Sequence, residues 1–117
     1  MKSLVTLAAL LLWFAAEAHT ALKVSAPADG ASVAAPVHEL VLEFSGDVRL
    51  TAVSLATAAG EPRAVSAAPA AIAKTFAIAV RDELAPGGYV VTWRAVGADT
   101  HVVSGQFRFE VTAGRTR

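Results

Sequence analysis

In residues 106–111 apolar and polar side chains alternate, with Phe107, Phe109 and Val111 on one set of positions and Gln106, Arg108 and Glu110 on the other. Successive side chains of an extended chain point to opposite faces, so this segment is a strand with one face against a core. The same alternation predicts strands over Leu22 to Ser25, Glu39 to Phe44, Ala52 to Ala56, Thr75 to Val80, Gly88 to Val96 and Gly105 to Thr112. Between them stand turn signals: Pro27-Ala28-Asp29-Gly30, Ala35-Pro36, Ser45-Gly46-Asp47, Gly60-Glu61-Pro62 and Ala85-Pro86-Gly87-Gly88. No stretch after the N-terminal segment keeps a helical period over three turns. The expected class is all-β. The alanine-rich stretch 56–73 is punctuated by Gly60, Pro62 and Pro69, and reads as loop with one further strand near Arg63 to Ser66.

The first eighteen residues have a different pattern. Lys2 gives a positive start, residues 4–14 form a mostly apolar run, and Ala16-Glu17-Ala18 is a small-x-small cleavage sequence. The run is shorter than the roughly 20 residues a membrane-spanning helix needs. Residues 1–18 are therefore expected to be a cleavable signal peptide, and 19–117 a single exported domain that begins at His19. Removing the signal takes away Lys2 and Glu17 and leaves the formal net charge at zero. Such a balance gives no basic patch for nucleic acid or an anionic membrane. The chain has no cysteine, so the domain must be held by its apolar core. The tail Gly114 to Arg117 reads as a frayed end.

Of the three histidines, two invite a metal reading. Once cleavage frees its amine, His19 offers two nitrogens, the α-amine and ring Nδ1, which can close a chelate on one ion; an internal histidine cannot. Asp99-Thr100-His101 follows the segment that carries Tyr89 and Trp93, and in an extended chain Asp99 and His101 would share a face. An amine, two imidazoles and a carboxylate form an N,O donor set suited to Cu(II). Zinc could take the same donors tetrahedrally, but the general affinity order places Cu(II) above it. The only methionine, Met1, leaves with the signal, so no soft sulfur ligand remains for Cu(I). His38 reads as exposed and structural, Glu43 as solvated, and Trp93 and Tyr89 as core packing with their polar tips satisfied locally.

These residues resemble the bacterial CopC-type periplasmic copper-binding proteins. The likeness runs through His19-Thr20-Ala21-Leu22, residues 25–31, Leu40-Val41-Leu42-Glu43-Phe44-Ser45, residues 84–89 and residues 93–105. It implies an immunoglobulin-like Greek-key sandwich of about seven strands. It further implies a periplasmic carrier or chaperone in copper homeostasis or resistance, holding one Cu(II) per chain through His19, Asp99 and His101. No catalytic residues are expected, and the chain is expected to be monomeric. The partner implied is an inner-membrane copper transporter of the CopD type. Relatives often carry an acidic residue directly after the Phe-Ser pair; here Gly46 stands there, and Asp47 is left either to supply that contact or not. They also usually have proline after the D-x-H histidine, where this chain has Val102. The competing readings are a histidine-brace copper oxidase or monooxygenase, which the few aromatic residues disfavour, and a metal-free interaction module.

Overall fold

The computed structural model describes residues 21–114. The expected signal peptide, His19 and the tail residues 115–117 lie outside the described residues. Within them run seven strands and no helix: β1 (Leu22–Ala26), β2 (Ala31–Ala34), β3 (Glu39–Thr57), β4 (Pro62–Arg63), β5 (Ile72–Ala79), β6 (Gly87–Gly97) and β7 (Val102–Thr112). They form one curled sheet in the order β1-β3-β6-β7-β2, with β4 and β5 also paired to β3. The architecture is the expected all-β sandwich.

β3 joins the layers. Its first half lies between β1 and β5, so that Leu42 stands opposite both Ser25 and Phe76. Its second half lies between β6 and β4, with Leu55 opposite Val91 and Arg63. The register shifts between Glu43 and Val48, and again between Leu50 and Ala52. Extra residues of this kind bend a strand and sharpen its twist, which carries β3 from one layer into the other. The Ser45-Gly46-Asp47 signal is thus a bend inside one strand and not the turn between two that the sequence suggests. Both flanks stay paired: Ser45 N–H donates to the Ala21 carbonyl and Ser45 Oγ accepts from Ala21 N–H, and Val48 lies between Ala73 and Gly97.

The core fills the space this curl encloses. Leu40, Leu42 and Phe44 of β3, Phe76 and Ile78 of β5, Tyr89, Val91, Trp93 and Ala95 of β6, and Phe107, Phe109 and Val111 of β7 are all buried. The alternation in β6 and β7 therefore reads out as predicted. Phe44 binds the layers together, its ring edge-on to Trp93 at 5.2 Å and to Phe76 at 6.0 Å. Tyr89 stacks on Phe109 at 5.7 Å, and its hydroxyl donates to the Ala85 carbonyl at 2.6 Å, the local satisfaction expected of a buried tyrosine. Trp93 packs as expected, but its Nε1 is buried without a hydrogen-bond partner.

Two further elements depart from the sequence reading. β2 was not anticipated; it pairs in parallel with the outer edge of β7, Ala31 opposite Phe109 through Ala34 opposite Thr112. In the alanine-rich stretch the strand is the short β4 at Pro62–Arg63, and Val65 forms only a bridge to Val80. Beyond it, Ser66 N–H donates to the Ala79 carbonyl, which fastens the segment along the end of β5.

Candidate metal centre

β6 and β7 are consecutive antiparallel strands paired from Gly87–Val111 to Val96–Val102, so the residues between them must reverse the chain in a tight loop. The reversal is closed by Gly97 N–H donating to the His101 carbonyl at 3.0 Å and by Thr100 N–H donating to the Gly97 carbonyl at 2.9 Å. Asp99 and His101 are on this loop. They are indeed brought together, though by a turn and not by the strand alternation that the sequence suggested. His101 Nδ1 lies 2.8 Å from Asp99 Oδ2, and His101 N–H donates to Asp99 Oδ1 at 3.1 Å.

An ionised carboxylate can only accept, so the ring proton belongs on Nδ1 and the lone pair of neutral imidazole on Nε2. A carboxylate holding the far nitrogen of a histidine is the arrangement that orients imidazole toward a metal and raises its basicity. The hydrogen bond from the His101 ring, and secondarily that from its backbone, holds the Asp99 carboxyl below its ordinary range. Both side chains remain open to solvent, His101 at 70% and Asp99 at 55% exposure.

Between the two residues, Thr100 has φ of +67°, and it is the one non-glycine with a positive φ among the described residues. A β-branched side chain is poorly tolerated there. Its hydroxyl donates to the Asp99 carbonyl. Nothing in the sequence pattern pointed to this conformation.

The other pieces are ordered around this loop by β3. Val48 is paired with Gly97 at the loop's base, while Ser45 is tied to Ala21: Ala21 N–H donates to Ser45 Oγ at 3.0 Å, and Ser45 N–H to the Ala21 carbonyl at 2.9 Å. β1 runs antiparallel to β3, so its N-terminal end and the β6–β7 loop meet β3 within three residues of each other, about 10 Å by strand rise. His19 itself lies outside the described residues. Asp47 lines a groove of about 380 Å3 together with Gly97, Ala98 and Thr100 of the loop. His38 is exposed, as expected, and lies before the start of β3, on the order of 30 Å along the strand from Val48. Glu43 is half exposed, its Oε2 4.0 Å from Lys23 Nζ. Among the described residues no group of three or more His, Asp or Glu side chains is arranged to hold a metal, so Asp99 and His101 form half of a site at most.

Residues 22–112 match the CopC domain. The chain belongs to the CopC family. Copper resistance protein C of Escherichia coli is 37% identical over 108 residues, covering 84% of this chain and 85% of that protein. Copper resistance protein C of Pseudomonas syringae pv. tomato is 38% identical over 120 residues, covering 93% of this chain and 94% of its own. The crystal structure of PcoC, a methionine-rich copper resistance protein from E. coli, superposes with a TM-score of 0.68 at 36% identity, over 81% of this chain and all of PcoC. CopC from Methylosinus trichosporium OB3b superposes with a TM-score of 0.69 at 25% identity, over 85% of this chain and 99% of that one. A CopC chain and a copper-related role are thus in agreement with the family that the residues resemble. Among the described residues no helix is long and apolar enough to cross a membrane.

Proposed function

We propose that this CopC-family chain is a periplasmic Cu(II) carrier in copper resistance or homeostasis, exported with residues 1–18 as signal peptide and binding one ion per chain as a monomer. The donors are the α-amine and Nδ1 of His19, Nε2 of His101 and the carboxylate of Asp99. It binds its cargo and hands it on; no bond-making step is involved, and a membrane transporter of the CopD type is the receiving partner the family suggests.

The observation that carries this is the Asp99–His101 pair, oriented and solvent-accessible, at the end of the sandwich where β1 begins. Only Thr20 stands between His19 and Ala21, so the two steps of chain give a reach of at most about 7 Å. An ion on Nε2 lies across the imidazole from the oxygen bonded to Nδ1, so Asp99 orients the ring in the metal-free protein and becomes a donor to the same ion by giving up that ring bond. The ligand set is hard, and the chain's only sulfur atom is that of Met1, so Cu(II) is favoured over Cu(I).

The test is a Cu(II) titration of protein starting at His19 against protein carrying one added N-terminal residue, with electron paramagnetic resonance reporting the donors. The expected result is a nitrogen-rich 1:1 signal in the first and much weaker binding in the second, whose residue 19 nitrogen is an amide. Equal binding by both would remove His19 from the site.

A further inference from the structure

The β6–β7 loop carries its two chemistry-bearing side chains on either side of the one backbone conformation in the described chain that its residue type resists. In an extended chain, Asp99 and His101 would project in parallel with their Cα atoms about 6.6 Å apart, too far for the carboxylate to hold both the ring and the backbone N–H of His101. The left-handed turn at Thr100 folds the two together, to 2.8 Å between Oδ2 and Nδ1 and 3.1 Å between Oδ1 and N. Conformations of this kind persist only when their surroundings over-determine them, and here the surroundings are all in place. Thr100 N–H is held by Gly97, its hydroxyl by the Asp99 carbonyl, and the loop is closed by the Gly97 N–H to His101 bond.

We propose that Thr100 is a positioning residue for the copper site: its left-handed conformation sets the Asp99–His101 pair, and through it the imidazole tautomer, before any ion arrives. The proposal rests on the copper-carrier reading only for its functional consequence; the tautomer effect belongs to the metal-free protein. What matters is the backbone angle, so a residue that accepts a left-handed conformation should keep the device and one that forbids it should lose it. Asparagine is of the first kind, and proline, with φ locked near −65°, is of the second.

The experiment compares the parent, Thr100→Asn and Thr100→Pro, all starting at His19. Long-range proton–nitrogen spectra of the metal-free proteins report the His101 tautomer, and competition titrations report Cu(II) affinity. The parent and Thr100→Asn should hold the proton on Nδ1 and bind Cu(II) alike. Thr100→Pro should lose the tautomer preference and bind roughly 10–100-fold more weakly, the loss typical when a ligand's supporting contact is removed. Trp93 emission checks that the core stays folded; should Thr100→Pro fail that check, Thr100→Val, which keeps the backbone N–H but resists the left-handed region more strongly, takes its place. Unchanged tautomer and affinity in the folded Pro or Val variant would overturn the proposal. So would a loss in Thr100→Asn equal to that in the resisting variant, because the hydroxyl and not the backbone would then be responsible. If the parent binds no copper, the carrier reading fails, while the tautomer spectra still decide the role of Thr100.

Discussion

At the scale of single residues, the Asp99–His101 pair is the most informative feature. Two hydrogen bonds to one carboxylate favour its ionised form, which is why Asp99 titrates below its ordinary value. A carboxyl whose folded pKa is depressed adds stability that is present above its unfolded pKa and is lost as pH falls through the folded one. Exposure of the pair to solvent keeps this contribution small, so the sensitive measurement is the titration itself. Carbon-13 spectra of metal-free protein should show the Asp99 carboxyl titrating below an unstructured aspartate, and His101→Ala should return it toward the ordinary value. No change in that variant would mean that the 2.8 Å contact does not persist in solution. The D-x-H spacing was visible in the sequence, but the left-handed Thr100 that makes the contact was not, because the angle is imposed by closing β6 onto β7 and not by the preference of threonine.

Among the elements, the β6–β7 hairpin carries the loop, and its rigidity depends on how its strands meet. Trp93 stands opposite Gly105, and the indole lies so close that a Cβ on residue 105 would come within 2.8 Å of Cζ2 and 3.2 Å of Nε1. Glycine is required there because the ring occupies the space a side chain would need. Gly105→Ala must push a buried ring that is already edge-on to Phe44, and overpacking of that kind costs about 1–3 kcal/mol. Thermal unfolding should show a clearly lowered midpoint; a midpoint equal to the parent's would mean that Trp93 has room to retreat. β2 shows the opposite situation. Ala31-Ser32-Val33-Ala34 is too short and its side chains too small to give a visible alternation, and it becomes a strand because the edge of β7 offers it backbone partners. Similarly, β3 was legible only as two strands, since the pattern is broken by the bulges that let one strand serve both layers.

For the whole molecule, the sandwich is held by its apolar core and its strand pairing without any disulfide, and the described residues contain no sulfur atom. PcoC, its structural neighbour, is by contrast a methionine-rich protein. A fold that keeps its shape without thiols or thioethers gives a copper ion only nitrogen and oxygen donors, and Cu(I) has no soft ligand to prefer. Competition with a Cu(I) chelator under reducing conditions should therefore show protein starting at His19 retaining no Cu(I), while the same protein holds Cu(II) in air. Retention of Cu(I) against the chelator would show that the imidazoles suffice for it and that valence selectivity is not built into the composition.

The sequence by itself determined the all-β class, most of the strands, the face of β6 and β7 that packs inward, and the CopC kinship, because these depend on side-chain alternation and on local blocks of residues that are present wherever the chain goes. It also supplied Asp99 and His101 as a pair two positions apart. Tertiary structure alone decided that β3 is one bent strand, that β2 completes an edge, that Asp47 lines a groove with the loop, and that β1 starts beside the bend of β3 on which the loop rests. Each of these depends on backbone hydrogen bonds between segments far apart in the chain, which leave no periodic trace in either partner.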